Sequence, residues 1–417
     1  MRFHLAIALT AATATGAAAQ KTPDVLTVVV TGDTCLNRHG VRVDPKGAVE
    51  GKGVLTWAEM SAGIKELIDG DLNFTNLETV VTTRDNLKPG NKRQKQPYLF
   101  KSHPAGVEHL VDIGFNLMSA ANNHSYDFDV EGVRDTVKHL TAIAKKKRMW
   151  WTGVGLDRAQ AARPAVFRHK NVPVAFSSIG ALTNMIKEHQ ATKTKPGSLG
   201  IRFPDDWKQV ANELGAARAS LRLLSIHYGK ERRIRVDERQ RRDWRWAAKA
   251  KKADIIMTHH AHVVRGVEVI NDRLIFYGLG NFMIRGARDM GKDKRLATWG
   301  DYGLLAKVYL VRQKSGRYAP RAVVAVPVWD MHRKPIRMRS AAESRRRIWA
   351  LNVMAKALDE KKSGAIGLRF VPRADGTGLW CAPGSEKSLR KLCRGWKRPG
   401  KAPADVDKIV RKQLKRR

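Results

Sequence analysis

Seven polar residues of the kinds that bind metals or move protons follow hydrophobic runs in this sequence, where strands are expected to end. They are Asp33, Glu78, Asn123, His124, His227, His260 and His262. Polar side chains at the carboxyl ends of strands in an α/β sheet point into one crevice, which is the usual place for a ligand. We therefore expect these seven residues to lie together.

The types of these residues indicate a metal site. Carboxylates, imidazoles and one amide oxygen suit divalent Mn, Fe or Zn, and the sequence has no Cys-x-x-Cys pair that would indicate a thiolate zinc site. The candidate ligands are Asp33, Glu78, Asn123, His227, His260 and His262. Because six ligands are too many for one tetrahedral ion, we predict two metal ions bridged by a carboxylate, a centre that can activate water and bind a phosphoryl or carbonyl oxygen.

Several of these residues also have ordinary structural interpretations. Asp33 alone is typical of a turn or a helix cap, and Glu78 alone of a surface or capping carboxylate. His227 alone could be a hydrogen-bonded core histidine, and Asn122 is expected to form an Asx turn or a cap. The occurrence of the whole set at successive strand ends favours the functional interpretation.

The histidines of the segment THHAH form the strongest local signal. Alternate residues of a strand share a face, so His260 and His262 are predicted to point to the same side. His259 is predicted to point to the other side and is left out of the site.

The elements that position these residues alternate between strand and helix from residue 25 to about residue 330. Predicted strands cover residues 24–32, 71–78, 115–120, 172–180, 221–229 and 254–262, and predicted helices cover 56–69, 103–114, 129–147, 205–219, 237–252 and 340–362. Asn271 and Asp272 form a two-residue hairpin turn between two further strands. This alternation predicts an α/β (α+β) fold with a buried sheet and helices outside it.

The chain is strongly basic. Its 417 residues include 78 Lys and Arg against 39 Asp and Glu, a formal net charge of +39 with a pI near 10.6. Such a balance favours polyanionic partners, above all an acidic envelope polymer. Residues 384–417 hold thirteen basic and three acidic residues, which predicts a weakly ordered basic tail.

The N-terminal segment predicts that the protein is exported. Residues 1–19 have an early Arg, a short apolar run and an Ala-x-Ala ending, as in a cleaved signal peptide, and no later segment reads as a transmembrane helix. We expect the mature protein in the periplasm or at the cell surface. In that oxidising environment Cys381 and Cys393 are able to pair, which leaves Cys35 free.

An ordered set of segments resembles the CapA family, the poly-γ-glutamate capsule synthesis proteins, from about residue 25 to residue 285. These segments are GDTCLN, FTNLETVVT, LMSAANNHSYDFDVEGVRDTVKHL, WTGVG, HYGKE and THHAHVVRGVEVINDRLIFYGLGNF. The family is similar to the calcineurin-like metallophosphatases. This resemblance implies a two-sheet β sandwich flanked by helices, in αββα order, over residues 24–335, followed by a basic extension over 336–417.

The resemblance also implies a role for each site residue. Asp33, Asn123, His227, His260 and His262 match metal ligands, Glu78 takes the place of a bridging Asp, and His124 matches an acid or electrostatic stabiliser beside the reacting group. One departure concerns the metal centre itself, because Cys35 stands where metalloesterases have the His of an Asp-x-His motif.

The function that the resemblance implies is an exported metal-dependent hydrolase that uses metal-activated water on an anionic capsule or envelope polymer, through a phosphoester or an amide bond. The alternative is a non-catalytic accessory protein of capsule assembly that binds a polyanion. Either protein would work with an anionic polymer or the capsule machinery. We expect no nucleic-acid partner, because the sequence has no nucleic-acid-binding motif.

Overall fold

The computed structural model describes residues 22–182, 186–285, 295–298, 300–337 and 339–416. The signal peptide predicted at residues 1–19 lies outside the described residues, so it stays a prediction. Within those ranges, no helix has both the length and the apolar character needed to cross a membrane.

The secondary structure over the described ranges consists of strands β1–β22 and helices α1–α9. The strands are β1 Val25–Cys35, β2 Gly47–Glu50, β3 Gly53–Thr56, β4 Leu72–Leu77, β5 Val80–Val81, β6 Lys101–Ser102, β7 Leu117–Ser119, β8 Trp150–Thr152, β9 Val154–Gly155, β10 Ala165–His169, β11 Val172–Gly180, β12 Gly197–Ser198, β13 Leu221–His227, β14 Ile255–His259, β15 Val267–Ile270, β16 Arg273–Phe276, β17 Asn281–Ile284, β18 Gly303–Arg312, β19 Tyr318–Val328, β20 Ile366–Gly367, β21 Val371–Pro372 and β22 Gly378–Cys381. The helices are α1 Trp57–Ser61, α2 Pro104–Asp112, α3 Asp129–Lys146, α4 Arg158–Ala162, α5 Pro204–Ala216, α6 Glu238–Lys249, α7 Ala341–Lys356, α8 Arg390–Cys393 and α9 Ala404–Leu414.

Two large sheets form the body of the molecule. The first has the order β21-β22-β19-β18-β1-β4-β7-β8, and β17 also pairs with β1. The second has the order β10-β11-β13-β14-β16-β15-β20. The pairs β1–β4 and β4–β7 in one sheet, and β11–β13 and β13–β14 in the other, are parallel, so the carboxyl ends of these strands lie at one edge of each sheet.

Three apolar layers hold the sheets and helices together. The central layer lies between the sheets, where Val28 and Phe74 of the first sheet belong to the same buried cluster as Phe176 and Met257 of the second. On the outer face of the first sheet, α1, α2 and α3 are packed, and on the outer face of the second, α4, α5 and α6. The αββα sandwich is therefore confirmed.

The helices follow from local sequence. In α3, Val133, Val137 and Leu140 recur at intervals of four and three residues and form its buried face. In α2, Pro104 occupies the first turn and the His103 side chain accepts a hydrogen bond from the Ala105 amide.

Two local predictions have different outcomes. The turn Asn271–Asp272 between β15 and β16 is confirmed, with φ of +50° and +56°, as a two-residue hairpin of this type requires. The single helix predicted over 56–69 is wrong. The α1 helix ends after five residues, and a 3₁₀ turn follows at Lys65–Leu67.

The segment after residue 335 shares both sheets with the rest of the chain. Strand β20 pairs with β15, and β22 pairs with β19. The expectation of a weakly ordered tail after residue 384 is wrong, because Val406 and Val410, one helical turn apart in α9, are fully buried in the central apolar cluster. Cys381 and Cys393 form a disulfide, and Cys35 is a free, buried thiol. The boundary at residue 335 between a domain and an extension stays a prediction.

Candidate metal centre

The predicted site residues lie where the carboxyl ends of the central strands meet. Asp33 is near the end of β1, Glu78 directly follows β4, His227 ends β13, and His260 directly follows β14. All four are close to one another although they come from strands of both sheets, so the predicted convergence is present.

A first group of ligand atoms comes from Glu78, His227 and His260, and these atoms all lie within 4.8 Å of one another. His227 Nε2 is 3.4 Å from Glu78 Oε1 and 3.1 Å from His260 Nδ1. The amide oxygen of Asn123 lies 2.6 Å from His227 Nε2 and 3.2 Å from His260 Nδ1. One carboxylate, two imidazoles and one amide oxygen therefore face a common point.

A second group of ligand atoms comes from Asp33, Glu78 and His262, again within 4.8 Å of one another. His262 Nδ1 is 3.4 Å from Asp33 Oδ2, and His262 Nε2 is 3.8 Å from Glu78 Oε1. Glu78 belongs to both groups. This is the position that a carboxylate bridging two cations would occupy.

The chemistry of Glu78 fits a cation. Its side chain is 1% exposed, and neither carboxylate oxygen has a hydrogen-bond partner among the residues that the structure describes. Burial, and then the negative charge of Asp33, raise the pKa of Glu78 well above its ordinary value. A buried carboxylate with no donor is unfavourable unless a cation compensates it, so the donor set fits divalent metal ions.

The electrostatics of the other ligands agree with this fit. Burial alone would raise the pKa of Asp33, but the neighbouring imidazoles of His259 and His262 outweigh it and lower that pKa. Burial, followed by the neighbouring imidazoles, lowers the pKa of His227 well below its ordinary value. Burial also lowers the pKa of His260 to about 4. Neutral imidazoles and an ionised carboxylate are the forms that ligate metals.

Several polar residues that orient the ligands escaped sequence reasoning. The Asn76 amide donates to Asp33 Oδ1 over 2.9 Å and lies 3.0 Å from His227 Nδ1. Asn281 Oδ1 lies 2.8 Å from His262 Nδ1. Such outer partners fix the orientation of the ligand rings. Alternation within β4 (LNFTNL) signals Asn76 only weakly, because its partners lie far away in the sequence.

His124 lies beside the centre in a buried network of its own. His124 Nδ1 is 2.8 Å from Asp127 Oδ2, and Nε2 faces Glu78 Oε1 at 3.9 Å. The Lys92 ammonium bonds the other oxygen of Asp127 and lies 3.2 Å from His124 Nδ1. Burial lowers the pKa of His124, and Lys92 lowers it further, against the opposing charge of Asp127. Sequence reasoning missed Asp127, although it stands three residues after His124, and missed Lys92.

The geometry of the THHAH segment differs from the prediction. Strand β14 ends at His259, and both His260 and His262 follow it with left-handed backbone, at φ of +78° and +54°. The prediction that His260 and His262 share a strand face is therefore wrong, although both side chains do reach the centre. His259, which was left out, is fully buried with Nδ1 3.4 Å from Asp33 Oδ1.

Two further residues keep their expected places. Asn122 forms the predicted Asx turn, in which its Oδ1 accepts from the His124 amide over 3.0 Å. Cys35 is buried with Phe100 and Ile284, and its Sγ is 3.1 Å from the Asn37 carbonyl oxygen. Cys35 therefore does not replace the missing histidine of the Asp-x-His motif.

Comparison with known proteins finds capsule biosynthesis proteins among the sequence relatives of this chain. The chain is 28% identical over 277 residues to the PGA biosynthesis protein CapA of Bacillus subtilis, and 27% identical over 279 residues to the capsule biosynthesis protein CapA of Bacillus anthracis. These matches cover 66% of this chain, and 68% and 63% of the two relatives respectively. Among solved structures, the calcineurin-like phosphoesterase YfkN from Bacillus subtilis aligns with a TM-score of 0.38 and 13% identity, over 71% of this chain and 88% of that one.

The family model described as bacterial capsule synthesis protein PGA_cap matches residues 27–285, well over half of the chain. The match includes every residue of the candidate metal centre. The chain therefore belongs to the bacterial capsule synthesis protein family.

Proposed function

We propose that this protein is an exported, metal-dependent hydrolase that acts in the synthesis or processing of an anionic capsule or envelope polymer. The observation that carries the proposal is the buried Glu78 carboxylate, which is common to both groups of ligand atoms and has no hydrogen-bond partner within the described part of the chain. The names of the relatives in capsule and PGA biosynthesis support the polymer class.

The residues that would hold two divalent ions of Mn, Fe or Zn are those of the two ligand groups, with Asn123 in the first. Bound there, such ions supply Lewis-acid activation of water and of the scissile group. His124 turns Nε2 toward the centre, while Asp127 accepts a hydrogen bond from Nδ1 and fixes the ring. In this orientation, protonated His124 can give the Nε2 proton to a leaving group.

Export is supported by the sequence of residues 1–19 and by the disulfide between Cys381 and Cys393, since such bonds persist in oxidising compartments. The periplasm or the cell surface would also bring the basic surface of the protein close to acidic envelope polymers. A fusion to alkaline phosphatase, which is active only after export, tests this part of the proposal.

The test of catalysis uses metal-loaded wild-type protein with poly-γ-glutamate and with a chromogenic phosphodiester. We expect turnover of one of these substrates. The variant His124→Ala should lose about 100- to 10,000-fold in rate with unchanged metal content, because His124 touches the reacting group and not the ions. Wild-type rates in this variant would contradict the role of His124.

The second candidate is a non-catalytic accessory protein that binds a polyanion. The observation in its favour is Cys35, a buried thiol that bonds the Asn37 carbonyl at the position where metalloesterases place a metal-binding histidine. Polymer binding by metal-loaded protein without turnover of either substrate would favour this candidate over the hydrolase.

A further inference from the structure

We propose that a basic cleft beside the metal centre binds a segment of the anionic polymer and directs it to that centre. The cleft has a volume of about 350 Å³, and its charged lining residues are Lys230, Glu231, Arg232, Arg233, Arg295 and Arg416. The inference rests on the proposed function, because it concerns the substrate of the same site.

The cleft adjoins the predicted metal ligands. Glu231 Oε1 lies 3.9 Å from His260 Nε2, whereas Nδ1 of the same ring contacts Asn123 and His227. The Arg232 amide donates a hydrogen bond of 2.9 Å to the carbonyl of Ala261, which stands between His260 and His262. A chain bound in the cleft would therefore have its next units at the centre.

One wall of the cleft is a loop that a buried arginine holds in place. Arg265 is completely buried, and its guanidinium donates to the Arg233 carbonyl over 2.7 Å and to the Lys230 carbonyl over 2.8 Å. Gly229 makes room for it, since a Cβ there would lie 2.7 Å from Arg265 Nη1. A loop fixed in this way presents its side chains without much loss of conformational entropy on binding.

The opposite wall comes from residues beyond the segment that the family model matches. Arg295 and Thr298 lie on one short stretch, Gln413 lies in the last turn of α9, and Arg416 follows that helix by two residues. The Gln413 side chain donates a hydrogen bond of 2.7 Å to the Leu296 carbonyl and so joins the two.

This wall is anchored in the core. The α9 helix buries Val406 and Val410 completely, and Leu296 is part of the same apolar cluster. The matched segment ends at residue 285, so the C-terminal part of this chain supplies a wall of its own. Its two arginines would set the affinity for polymer in this chain independently of the metal centre.

The lining favours a polymer of carboxylates. Five cationic side chains face one carboxylate, and no aromatic residue lines the cleft within the described part of the chain. Single-stranded nucleic acids are typically bound by aromatic side chains that stack on the bases, and the described lining of this cleft includes none. Carboxylates spaced along a flexible chain need only the cations, which Lys and Arg supply.

The test compares two full-length double variants that remove the same charge from different places. Arg295→Ala with Arg416→Ala changes the cleft, and Lys408→Ala with Lys412→Ala changes exposed residues of α9 that do not line it. Binding of fluorescent poly-L-glutamate is followed by anisotropy at low salt, without added metal. We expect the cleft variant to bind about five- to tenfold more weakly and the control about twofold or less. Lys230→Ala, on the other wall, should also weaken binding.

The outcomes separate this proposal from the proposed function. If both double variants bound poly-L-glutamate equally more weakly than the wild type, the proposed binding cleft would be overturned, since the polymer would then respond to net charge alone. Tighter binding of a single-stranded DNA oligomer through the same arginines would overturn the assignment to a carboxylate polymer. Binding that depends on the cleft, in a wild-type protein that shows no turnover, would support the cleft and contradict only the hydrolase.

Discussion

The substitution Glu78→Gln tests whether the Glu78 carboxylate serves to bind metal ions or to stabilise the fold. In the metal-free protein the Glu78 carboxylate is buried and receives no hydrogen bond from the described residues. Burial is the largest cause of its raised pKa, and the negative charge of Asp33 is the second. A neutral amide of nearly the same shape cannot carry the charge that burial disfavours, and its N–H groups offer donors to the nearby imidazole nitrogens. We therefore expect the substitution to stabilise the metal-free protein.

The size of the effect follows from the two unpaired oxygens. A buried polar group without a partner costs about 1–3 kcal/mol, so the metal-free variant should gain about 1–2 kcal/mol in free energy of unfolding. Metal at about 100 times its dissociation constant should stabilise the wild type by about 2.7 kcal/mol. The variant lacks the ligand common to both groups, so it should lose this gain. The order of stability of the two proteins should thus reverse on metal addition.

The assay is urea unfolding of chelator-treated protein, followed by tryptophan fluorescence, with and without added Mn²⁺. A matched control is Asp206→Asn, which changes another fully buried carboxylate. Asp206 is bonded by the Gln190 side chain and the Gly200 amide and paired with Arg158. The Asp206→Asn control should lose about 1–3 kcal/mol in free energy of unfolding both with and without Mn²⁺, because one carboxylate oxygen that accepts hydrogen bonds is replaced by an NH₂ group.

The reasoning would be refuted if metal-free Glu78→Gln were less stable than the wild type by as much as the Asp206→Asn control. Such a result would mean that the Glu78 carboxylate holds the fold together. A wild-type stability that does not change with Mn, Fe or Zn would refute the second half of the reasoning.

Three further predictions concern stability. Asp127→Asn leaves the buried Lys92 ammonium without its carboxylate and should lower the free energy of unfolding by about 3–5 kcal/mol in urea; an unchanged midpoint would contradict the ion pair. Burial lowers the pKa of His332 to about 4, so its contribution to stability is present above about pH 6.5 and is lost as the pH falls through 4. His332→Asn should therefore remove about 3 kcal/mol of the acid-induced loss in urea titrations between about pH 7 and pH 4, and an equally steep loss in the variant would contradict this. Replacing both Cys381 and Cys393 by serine opens a link between residues 12 apart and should cost about 2–3 kcal/mol; full stability of that variant under oxidising conditions would count against the disulfide.

The layers of the fold and the site ligands could be predicted because each is signalled locally. Val28 lies in a nearly continuous apolar run and Phe74 in an alternating one, both of which are typical of strands, and the polar residues at the ends of such strands were expected to converge. Parallel pairing places strand ends at one edge whatever the details of the loops.

The residues that sequence reasoning missed act through distant partners. Lys92 and Asp127 are 35 residues apart in the sequence, and Asn76 and His227 are 151 apart. A periodic pattern within one helix or strand cannot indicate contacts over such separations. The strand-face argument for His260 failed because a left-handed turn begins one residue after the strand, and no pattern in THHAH shows it. The C-terminal segment was predicted to be weakly ordered because the two valines that α9 buries stand among many charged residues in the sequence.

The most direct test of the metal centre is the metal content of purified mature protein, measured by inductively coupled plasma mass spectrometry. The wild type is compared with the double variant His260→Ala, His262→Ala, which removes one ligand from each group. We predict about two transition-metal ions per wild-type chain, largely lost in a variant that stays folded. No bound metal in the wild type, even after reconstitution with Mn, Fe or Zn, would contradict the centre and the hydrolase with it.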